Sequence, residues 1–284
     1  MPPASPPDNS RPALVLGGGG AAGVMWLFGL TLGLRQTGID LSLAGRIVGT
    51  SAGAVLGANL AGNVDLADLL ASLPSEPPAP EPTPSSATSS PADSLQLNAA
   101  DIDPVARRRR IGAHALELDL GDPADHIARM SQLLGITDWP HHDLLITAVD
   151  ATTGALRTWT REGKATLPEA IAASTAVPGV FPAIPIDGSH FLDGGLRSPI
   201  NADLAAGAPL IVILEPFAHL FPRAATDTEL AGAPTISITA DTPAISAFGS
   251  DLFAPAARRP AFEAGVRQAA QAATRLRDVW PTSE

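Results

Sequence analysis

Cysteine is absent from this 284-residue chain, and lysine occurs once, at Lys164. Without cysteine the chain has no disulfides, no zinc–thiolate site and no cysteine nucleophile. The chain has 18 basic residues, and all of them except this lysine are arginine. This bias is typical of a GC-rich bacterial genome. The lack of cysteine is compatible with the cytoplasm, where we expect this protein.

Positive charge is scarce as well. The formal net charge is −11 at pH 7, and the sequence pI is about 4.9. Because a nucleic-acid partner requires a basic face to neutralise phosphates, this balance argues against nucleic acid. It also disfavours tight adhesion to anionic membranes, which leaves a transient, peripheral contact with a membrane surface.

No apolar run reaches the ~20 residues that span a bilayer. The start of the chain has neither the basic region nor the apolar stretch of a secretory signal, and we predict that residues 1–12 are disordered. With 45% hydrophobic residues, residues 13–284 are expected to form a single domain with a full core. Within it, a Pro/Ser-rich stretch at about 74–92 nearly lacks large apolar side chains, which predicts a flexible insertion.

Apolar runs bounded by turn residues predict strands, and these alternate with helical patterns. The predicted strands cover 13–16, 46–48, 144–149, 156–159, 184–186, 190–192 and 209–214. A last helix is predicted over about 260–280, with an apolar stripe facing the core that consists of Phe262, Val266, Ala269, Ala273 and Leu276. This alternation predicts an α/β protein.

Three glycine-rich motifs lie at the ends of predicted strands. The run Gly17–Gly20 follows the first strand, Gly49-Thr50-Ser51-Ala52-Gly53 follows the second, and Asp193-Gly194-Gly195 leaves a hairpin. Gly-x-Ser-x-Gly fits a sharp turn from strand to helix, because its glycines permit the tight backbone and leave the serine hydroxyl projecting. The three motifs therefore indicate an oxyanion site, a nucleophile and a carboxylate base.

In this order the motifs resemble those of the patatin-like phospholipase family, over about residues 13–214. A fourth block, Ala173–Pro182, is similar to the Ala-Ser-x-Ala-x-Pro-x-x-Phe-Pro stretch that precedes the catalytic aspartate in that family. The resemblance implies a three-layer fold, with a mostly parallel central sheet sandwiched by helices. It also implies a Ser–Asp dyad without histidine, and neither a metal nor an organic cofactor.

The resemblance also implies a role for each matching residue. Ser51 corresponds to the nucleophile and Asp193 to the base, while the N–H groups of Gly18, Gly19 and Gly20 correspond to the oxyanion hole. The supporting glycines are Gly23, Gly49, Gly53, Gly194 and Gly195. A carboxylate is intrinsically a weak base, so Asp193 is expected in a partly desolvated setting that raises its affinity for a proton. The expected reaction is hydrolysis of carboxylic ester bonds of lipids through an acyl-serine.

One position departs from the family pattern. Ala22 stands where these proteins usually have arginine or lysine. Loss of this cation weakens the expectation that an anionic phospholipid headgroup is recognised. A small ester that is not a phospholipid therefore stays open as the substrate.

Other functions fit parts of the same pattern. The order Ser51…Asp193…His219 matches the triad of α/β-hydrolases. Gly18-x-Gly20-x-x-Gly23 also fits a dinucleotide phosphate loop, although no buried strand precedes Asp40, the acidic residue that this role would need. A catalytically weak lipid-binding protein that keeps the fold is a further alternative, against which the intact serine and aspartate argue.

Arg107–Arg110 is the one basic cluster in the sequence. We interpret it as a solvated helix face. The alternative is a local contact with lipid headgroups.

Overall fold

A computed structural model describes residues 10–73 and 103–282. Most of the predicted disordered N-terminus and the whole predicted insertion at 74–92 lie outside the described residues. Among the described helices, none is long and apolar enough to cross a membrane.

An eight-stranded sheet forms the centre of the molecule. Its strands are Ala13–Leu16 (β1), Arg46–Gly49 (β2), Leu144–Asp150 (β3), Leu156–Trp159 (β4), Ile184–Ile186 (β5), Ser189–Asp193 (β6), Ile211–Glu215 (β7) and Thr235–Thr239 (β8). Hydrogen-bonded neighbours follow the path β5-β6-β3-β2-β1-β7-β8, and β4 also pairs with β3, on the edge opposite to β2 and β6. Strands β3, β2, β1, β7 and β8 are parallel, whereas β4, β5 and β6 pair antiparallel. The predicted mostly parallel sheet is confirmed.

Helices flank this sheet, as the α/β pattern predicts. They are Gly20–Gln36 (α1), Ala52–Ala61 (α2), Leu66–Ser72 (α3), Pro104–Glu117 (α4), Pro123–Ser131 (α5), Leu167–Thr175 (α6), Thr242–Phe248 (α7) and Arg258–Leu276 (α8). Short 3-10 turns connect the elements at Leu41–Leu43, Gly194–Leu196, Ala202–Ala205, Ala225–Thr228 and Pro255–Ala257.

Side chains of the central strands alternate between two cores. Leu14 and Leu16 of β1 pack in the larger core with α1, α2 and α8, while Ala13 and Val15 pack in a smaller core with the 202–205 turn. This alternation follows from the two-residue period of a strand. Because both faces of β1 are covered, its four residues are all apolar.

Helix α8 matches its predicted apolar stripe only in part. Ala269, Ala273 and Leu276 are buried as predicted, but the first two members of the stripe are not. Phe262 and Val266 are only half-buried, whereas Ala261, Ala264 and Gly265 are buried. The physical reason is that α1 and α8 cross closely: a Cβ at Gly29 would overlap the main-chain carbonyl of residue 262. A stripe of small residues, rather than the large apolar side chains, therefore forms the contact.

Two strands meet end to end on β3. At one edge of β3, Ile146 pairs with Gly49, the last residue of β2, while Ala148 pairs with Asp193, the last residue of β6. Strand β4 pairs with both of these β3 residues and so occupies the opposite edge. Because β2 and β6 run towards each other along one edge, both must turn out of the sheet where they meet, and their two terminal motifs lie side by side.

Candidate active site

Ser51 occupies the sharp turn between β2 and α2. Its backbone has φ 53° and ψ −119°, and a positive φ in a residue other than glycine costs about 1–3 kcal/mol and is concentrated at functional sites. The flanking Gly53 is required by packing, because a Cβ there would overlap the carbonyl of Leu16. A Cβ at Gly49 would likewise overlap the backbone of Ala54 in α2. The helix is thus pressed onto the sheet, and the turn has the geometry of a nucleophile elbow.

Asp193 ends β6 directly beside this turn and is 5% exposed. The N–H of Gly195 donates a hydrogen bond to its Oδ1 at 2.7 Å. Burial raises the pKa of Asp193 to about 6, although the Gly195 N–H and the Ser51 side chain both act to lower it. A Cβ at Gly194 would overlap the Thr147 hydroxyl, so this turn needs its glycine. The structure brings the predicted nucleophile and base together.

The glycine loop differs from its prediction at one residue. The N–H of Gly18 already donates to the Pro199 carbonyl at 2.9 Å, so it is not free to bind an oxyanion. Within the described part of the chain, the N–H groups of Gly19 and Gly20 have no backbone acceptor. Both lie at the start of α1, where amides lack intrahelical partners and the helix dipole is positive. Gly23 supports the loop by packing, since a Cβ there would approach Pro216 Cβ to 3.2 Å.

A buried polar network lies behind the serine turn and was not predicted. Thr50 Oγ1 and Thr147 Oγ1 are 2.9 Å apart, and Asn201 Nδ2 donates to Thr50 Oγ1 at 3.0 Å. Asn201 is fully buried, with φ 51°, and also donates to the Ser198 carbonyl at 2.9 Å. The Ser198 hydroxyl donates to the buried Asp227 carboxylate. Single polar residues carry no motif, so these partners are visible only in the folded chain.

The predicted block 173–182 contributes a second set of contacts. Ser51 donates its backbone N–H to Ser174 Oγ at 2.9 Å. His126 Nε2 lies 3.0 Å from Thr175 Oγ1, and its ring stacks on Phe181 with centroids 4.3 Å apart. Burial lowers the pKa of His126 to about 3, so this histidine is neutral at physiological pH. Its interactions are with the wall of the site and not with the Ser51 hydroxyl.

His219, the histidine of the triad alternative, lies apart from the predicted pair. Its side chain is exposed and packs edge-on against Phe217, with ring centroids 6.0 Å apart, and near Phe248. Across residues 10–73 and 103–282, it has no hydrogen bond to Ser51 or Asp193. Over the same ranges, no group of three or more His, Asp and Glu side chains is arranged to hold a metal ion.

Asp40, the acidic residue of the dinucleotide alternative, is not at the end of a strand. Its carboxylate caps the 3-10 turn Leu41–Leu43 by accepting from the Ser42 N–H, and it forms an ion pair with Arg35 at 3.3 Å. Strand β2 begins only after this turn. The residue is therefore not placed to bind a ribose beside the glycine loop.

Two cavities of about 550 Å³ each meet at Ser51. We name the first the apolar cavity. Its lining includes the apolar side chains Val24, Met25, Val55, Leu70, Met130 and Phe262, and also three arginines, Arg129, Arg258 and Arg259. The second, the arginine cavity, is lined by Arg107, Arg197, Arg223, Asp193, Gly18 and Gly19 among others. Gly20 and Ser51 border both cavities. Asp193 borders only the arginine cavity.

The four arginines of α4 do not share one environment. Arg107 is half-buried and lines the arginine cavity. Arg108 is buried and donates Nε–H to the Gly154 carbonyl at 2.7 Å. Arg109 and Arg110 are exposed. The interpretation as a solvated helix face is right for the last two arginines and wrong for the first two.

The fold and this site together define an α/β protein with a serine at a strand–helix turn, beside a buried carboxylate and a glycine loop. The family model for patatin-like phospholipases matches residues 14–206. The chain therefore belongs to the patatin-like phospholipase family, as its motifs predict.

A comparison with solved structures finds VipD from Legionella pneumophila, with a TM-score of 0.45 and 13% identity over 92% of this chain. A second is the type III effector protein ExoU, with a TM-score of 0.39 and 20% identity over 95% of this chain. The chain spans 66% of the first protein and 54% of the second, which is less than two thirds of either. Among curated proteins, none matches this chain.

Proposed function

We propose that this protein is a serine acyl hydrolase that cleaves carboxylic ester bonds of lipids, with Ser51 as nucleophile and Asp193 as base. The observation that carries the proposal is the placement of Ser51 beside the buried carboxylate of Asp193, where β2 and β6 end together and both residues line one cavity. The pKa of this carboxylate is raised to about 6 by burial. A serine hydroxyl needs a base as it attacks, and a base is most effective when its pKa lies near the working pH. Burial supplies this basicity without a histidine.

In the first step, Asp193 takes the Ser51 proton as Oγ bonds to the ester carbonyl carbon, and the carbonyl π electrons move to oxygen. The N–H groups of Gly19 and Gly20 stabilise this oxyanion, and one such donor contributes about 2.7–4 kcal/mol. When the carbonyl re-forms, the C–O bond to the alcohol breaks and Asp193 returns the proton to the leaving oxygen. A water, deprotonated by Asp193, then hydrolyses the acyl-serine, and the proton goes back to Ser51.

This proton transfer orients the substrate. Because Asp193 must reach the leaving oxygen and borders only the arginine cavity, the alcohol part of the ester lies in that cavity. The acyl chain then extends from Ser51 into the apolar cavity. Its volume of about 550 Å³ falls within the ~300–1,000 Å³ of small-molecule sites.

A second candidate is hydrolysis of small esters that are not phospholipids. Ala22 favours it, because the residue is fully buried in the core and contributes nothing to either cavity. The two candidates share the same chemistry and differ in the alcohol. Matched substrates with and without a phosphate distinguish them.

Labelling by a fluorophosphonate probe tests the nucleophile. We expect the wild type to be labelled and Ser51→Ala to remain unlabelled, while His219→Ala is labelled and keeps most of its esterase activity. Equal labelling of the wild type and a folded Ser51→Ala would end the proposal. Loss of activity in His219→Ala as large as in Asp193→Asn would instead support the triad.

A further inference from the structure

We propose that Phe253 is a specificity-determining residue, which restricts the substrate to esters that join an unbranched acyl chain to a primary alcohol. The inference deepens the proposed function and rests on it, because the chemistry of Ser51 places the ester between the two cavities. The space that Phe253 leaves beside Ser51 is a property of the structure, and it can be tested by binding without catalysis.

Four residues form what we name the constriction, where the apolar cavity and the arginine cavity meet. Across residues 10–73 and 103–282, the residues that line both cavities are Gly20, Ser51, Val177 and Phe253. Gly20 has no side chain and Ser51 carries the candidate nucleophile, so the bulk at this point comes from Val177 and Phe253. A ligand that extends from one cavity into the other must pass these two side chains.

Phe253 is held in the constriction by its neighbours and by its ring. Its N–H donates to Asp251 Oδ1 at 3.0 Å, and the carbonyl of Leu252 accepts the N–H of Ala22 at 3.3 Å. The ring packs edge-on against Phe181, with centroids 5.9 Å apart. The loop that carries Phe253 is therefore attached to the first turn of α1, beside the candidate oxyanion donors.

Gly20 permits this close approach of the loop. Its φ is 55°, and a Cβ there would lie 2.9 Å from the carbonyl oxygen of Leu252. A side chain at this position would displace the loop, and Phe253 with it, from the serine turn. The glycine thus contributes to the constriction as well as to the oxyanion site.

Val177 is the other bulky side chain of the constriction and lies in the turn after α6. Its N–H donates to the Thr175 carbonyl at 2.9 Å, and its own carbonyl accepts the N–H groups of Val180 and Phe181 at 3.1 and 3.0 Å. Val177 and Phe253 therefore both belong to hydrogen-bonded turns. Neither backbone can withdraw from Ser51 without breaking these bonds.

The reacting ester lies inside the constriction, because Ser51 Oγ bonds to its carbonyl carbon. The first acyl carbon and the first alcohol carbon then lie at the two openings. A methyl branch on either carbon adds bulk against Val177 and Phe253, and packed sites reject added bulk. A branch farther along either chain lies instead in a cavity of about 550 Å³. In a glycerol lipid, the ester cleaved is therefore one at an outer carbon, which is a primary alcohol.

Four soluble esters isolate the position of the branch. 1-Butyl hexanoate is unbranched, 2-butyl hexanoate is branched at the first alcohol carbon, and 1-butyl 2-methylhexanoate is branched at the first acyl carbon. 1-Butyl 5-methylhexanoate, an isomer of the third ester, carries its methyl far from the carbonyl group. Phe253→Ala should raise kcat/KM for the second and third esters about tenfold relative to the unbranched ester, and leave the ratio for the fourth unchanged. Because each ratio is compared with that of the wild type, differences in intrinsic reactivity cancel.

Phe221→Ala is the matched control, because Phe221 is half-buried like Phe253 but lines only the arginine cavity. It should leave all these ratios unchanged. Val177→Ala opens the constriction at its other bulky side chain and should relax the same discrimination, which keeps the inference testable if Phe253→Ala fails to fold. Thermal unfolding of each variant, compared with the wild type, separates the results from misfolding.

Two results with the esters would overturn the inference. An equal rise on all four esters in Phe253→Ala would mean that Phe253 only limits access to Ser51. Unchanged ratios in folded Phe253→Ala and Val177→Ala would mean that the constriction does not sense the branch.

Binding of uncleaved amides separates this inference from the proposed function. N-Butylhexanamide and N-(2-butyl)hexanamide have the shapes of the first two esters. In calorimetry, Ser51→Ala should bind the unbranched amide about tenfold more tightly than the branched one, and adding Phe253→Ala should remove the difference. This preference is expected even if no ester is ever hydrolysed, in which case the proposed function fails and the inference stands. Equal binding of the two amides to Ser51→Ala, or binding of neither, would overturn the inference while leaving hydrolysis by Ser51 intact.

Discussion

Gly49 and Asp193 end two strands that meet on one edge of β3, where they pair with Ile146 and Ala148. This relationship places the serine turn and the carboxylate, which are far apart in sequence, side by side at one cavity. Neither strand can continue without running into the other, so each turns out of the sheet at the residue that carries its motif. The site is thus a consequence of how the sheet is assembled.

The pH dependence of activity tests the role of Asp193. Its pKa of about 6 means that the carboxylate is increasingly protonated as the pH falls below 6, and a protonated carboxyl cannot accept the Ser51 proton. We expect kcat/KM for a soluble neutral ester to fall about tenfold per pH unit well below pH 6. A profile that stays flat to pH 4.5 while the protein remains folded would exclude Asp193 as the base.

Replacing the same residue should stabilise the protein while it abolishes activity. The pKa of Asp193 is higher in the folded state than the ordinary value of 3.8, so the folded state binds more protons and stability falls as the pH rises from about 4 to 6. At pH 8, Asp193→Asn should therefore raise the free energy of unfolding by on the order of 2–3 kcal/mol. Urea unfolding at pH 8 and pH 4 measures this difference, which should nearly vanish at the lower pH. If Asp193→Asn instead lowered the free energy of unfolding at pH 8, the folded protein would stabilise the buried carboxylate charge rather than be destabilised by it.

Acyl-chain preference tests the assignment of the apolar cavity. Each buried methylene contributes about 0.8 kcal/mol, so kcat/KM in the wild type should rise about fourfold per methylene until the cavity is full. Val24 is half-buried and lines only the apolar cavity. Val24→Phe should therefore end this rise at a shorter chain without affecting acetyl esters.

Leu220→Phe is the matched control for this series, because Leu220 lines only the arginine cavity and is 48% exposed. It should leave the chain-length profile unchanged. If Leu220→Phe shortened the preferred chain and Val24→Phe did not, the orientation of the substrate would be the reverse of the one proposed.

The buried network behind the serine turn makes Asn201 a positioning residue. Asn201→Ala should cost about 1–3 kcal/mol of stability, because the buried Thr50 and the partly buried Arg197 each lose a hydrogen bond. It should also lower kcat with little change in KM, since the turn that carries Ser51 is less well held. Asn63→Ala is the control, because Asn63 is exposed and its φ of 53° is close to the 51° of Asn201, so it reports the backbone cost alone. Equal effects of the two changes would show that Asn201 is needed for its backbone conformation and not for its side-chain hydrogen bonds.

The sequence by itself determined the local parts of this protein. Strand β1, the turn at Ser51 and the exit of Asp193 from a hairpin all lie where their patterns predict. These features depend on properties of a few adjacent residues: alternation along a strand and the need for glycine where backbones approach closely. The order of the motifs was sufficient to predict the family.

Only the tertiary structure decided which of these parts touch. It showed that the Pro199 carbonyl accepts a hydrogen bond from the N–H of Gly18. It also showed that Arg107, Arg197 and Arg223, from three segments of the chain, line the same cavity. It also turned the small residues of α8, rather than Phe262, towards α1. Such contacts join residues that are distant along the chain and depend on how layers pack, so no local pattern of residue types encodes them.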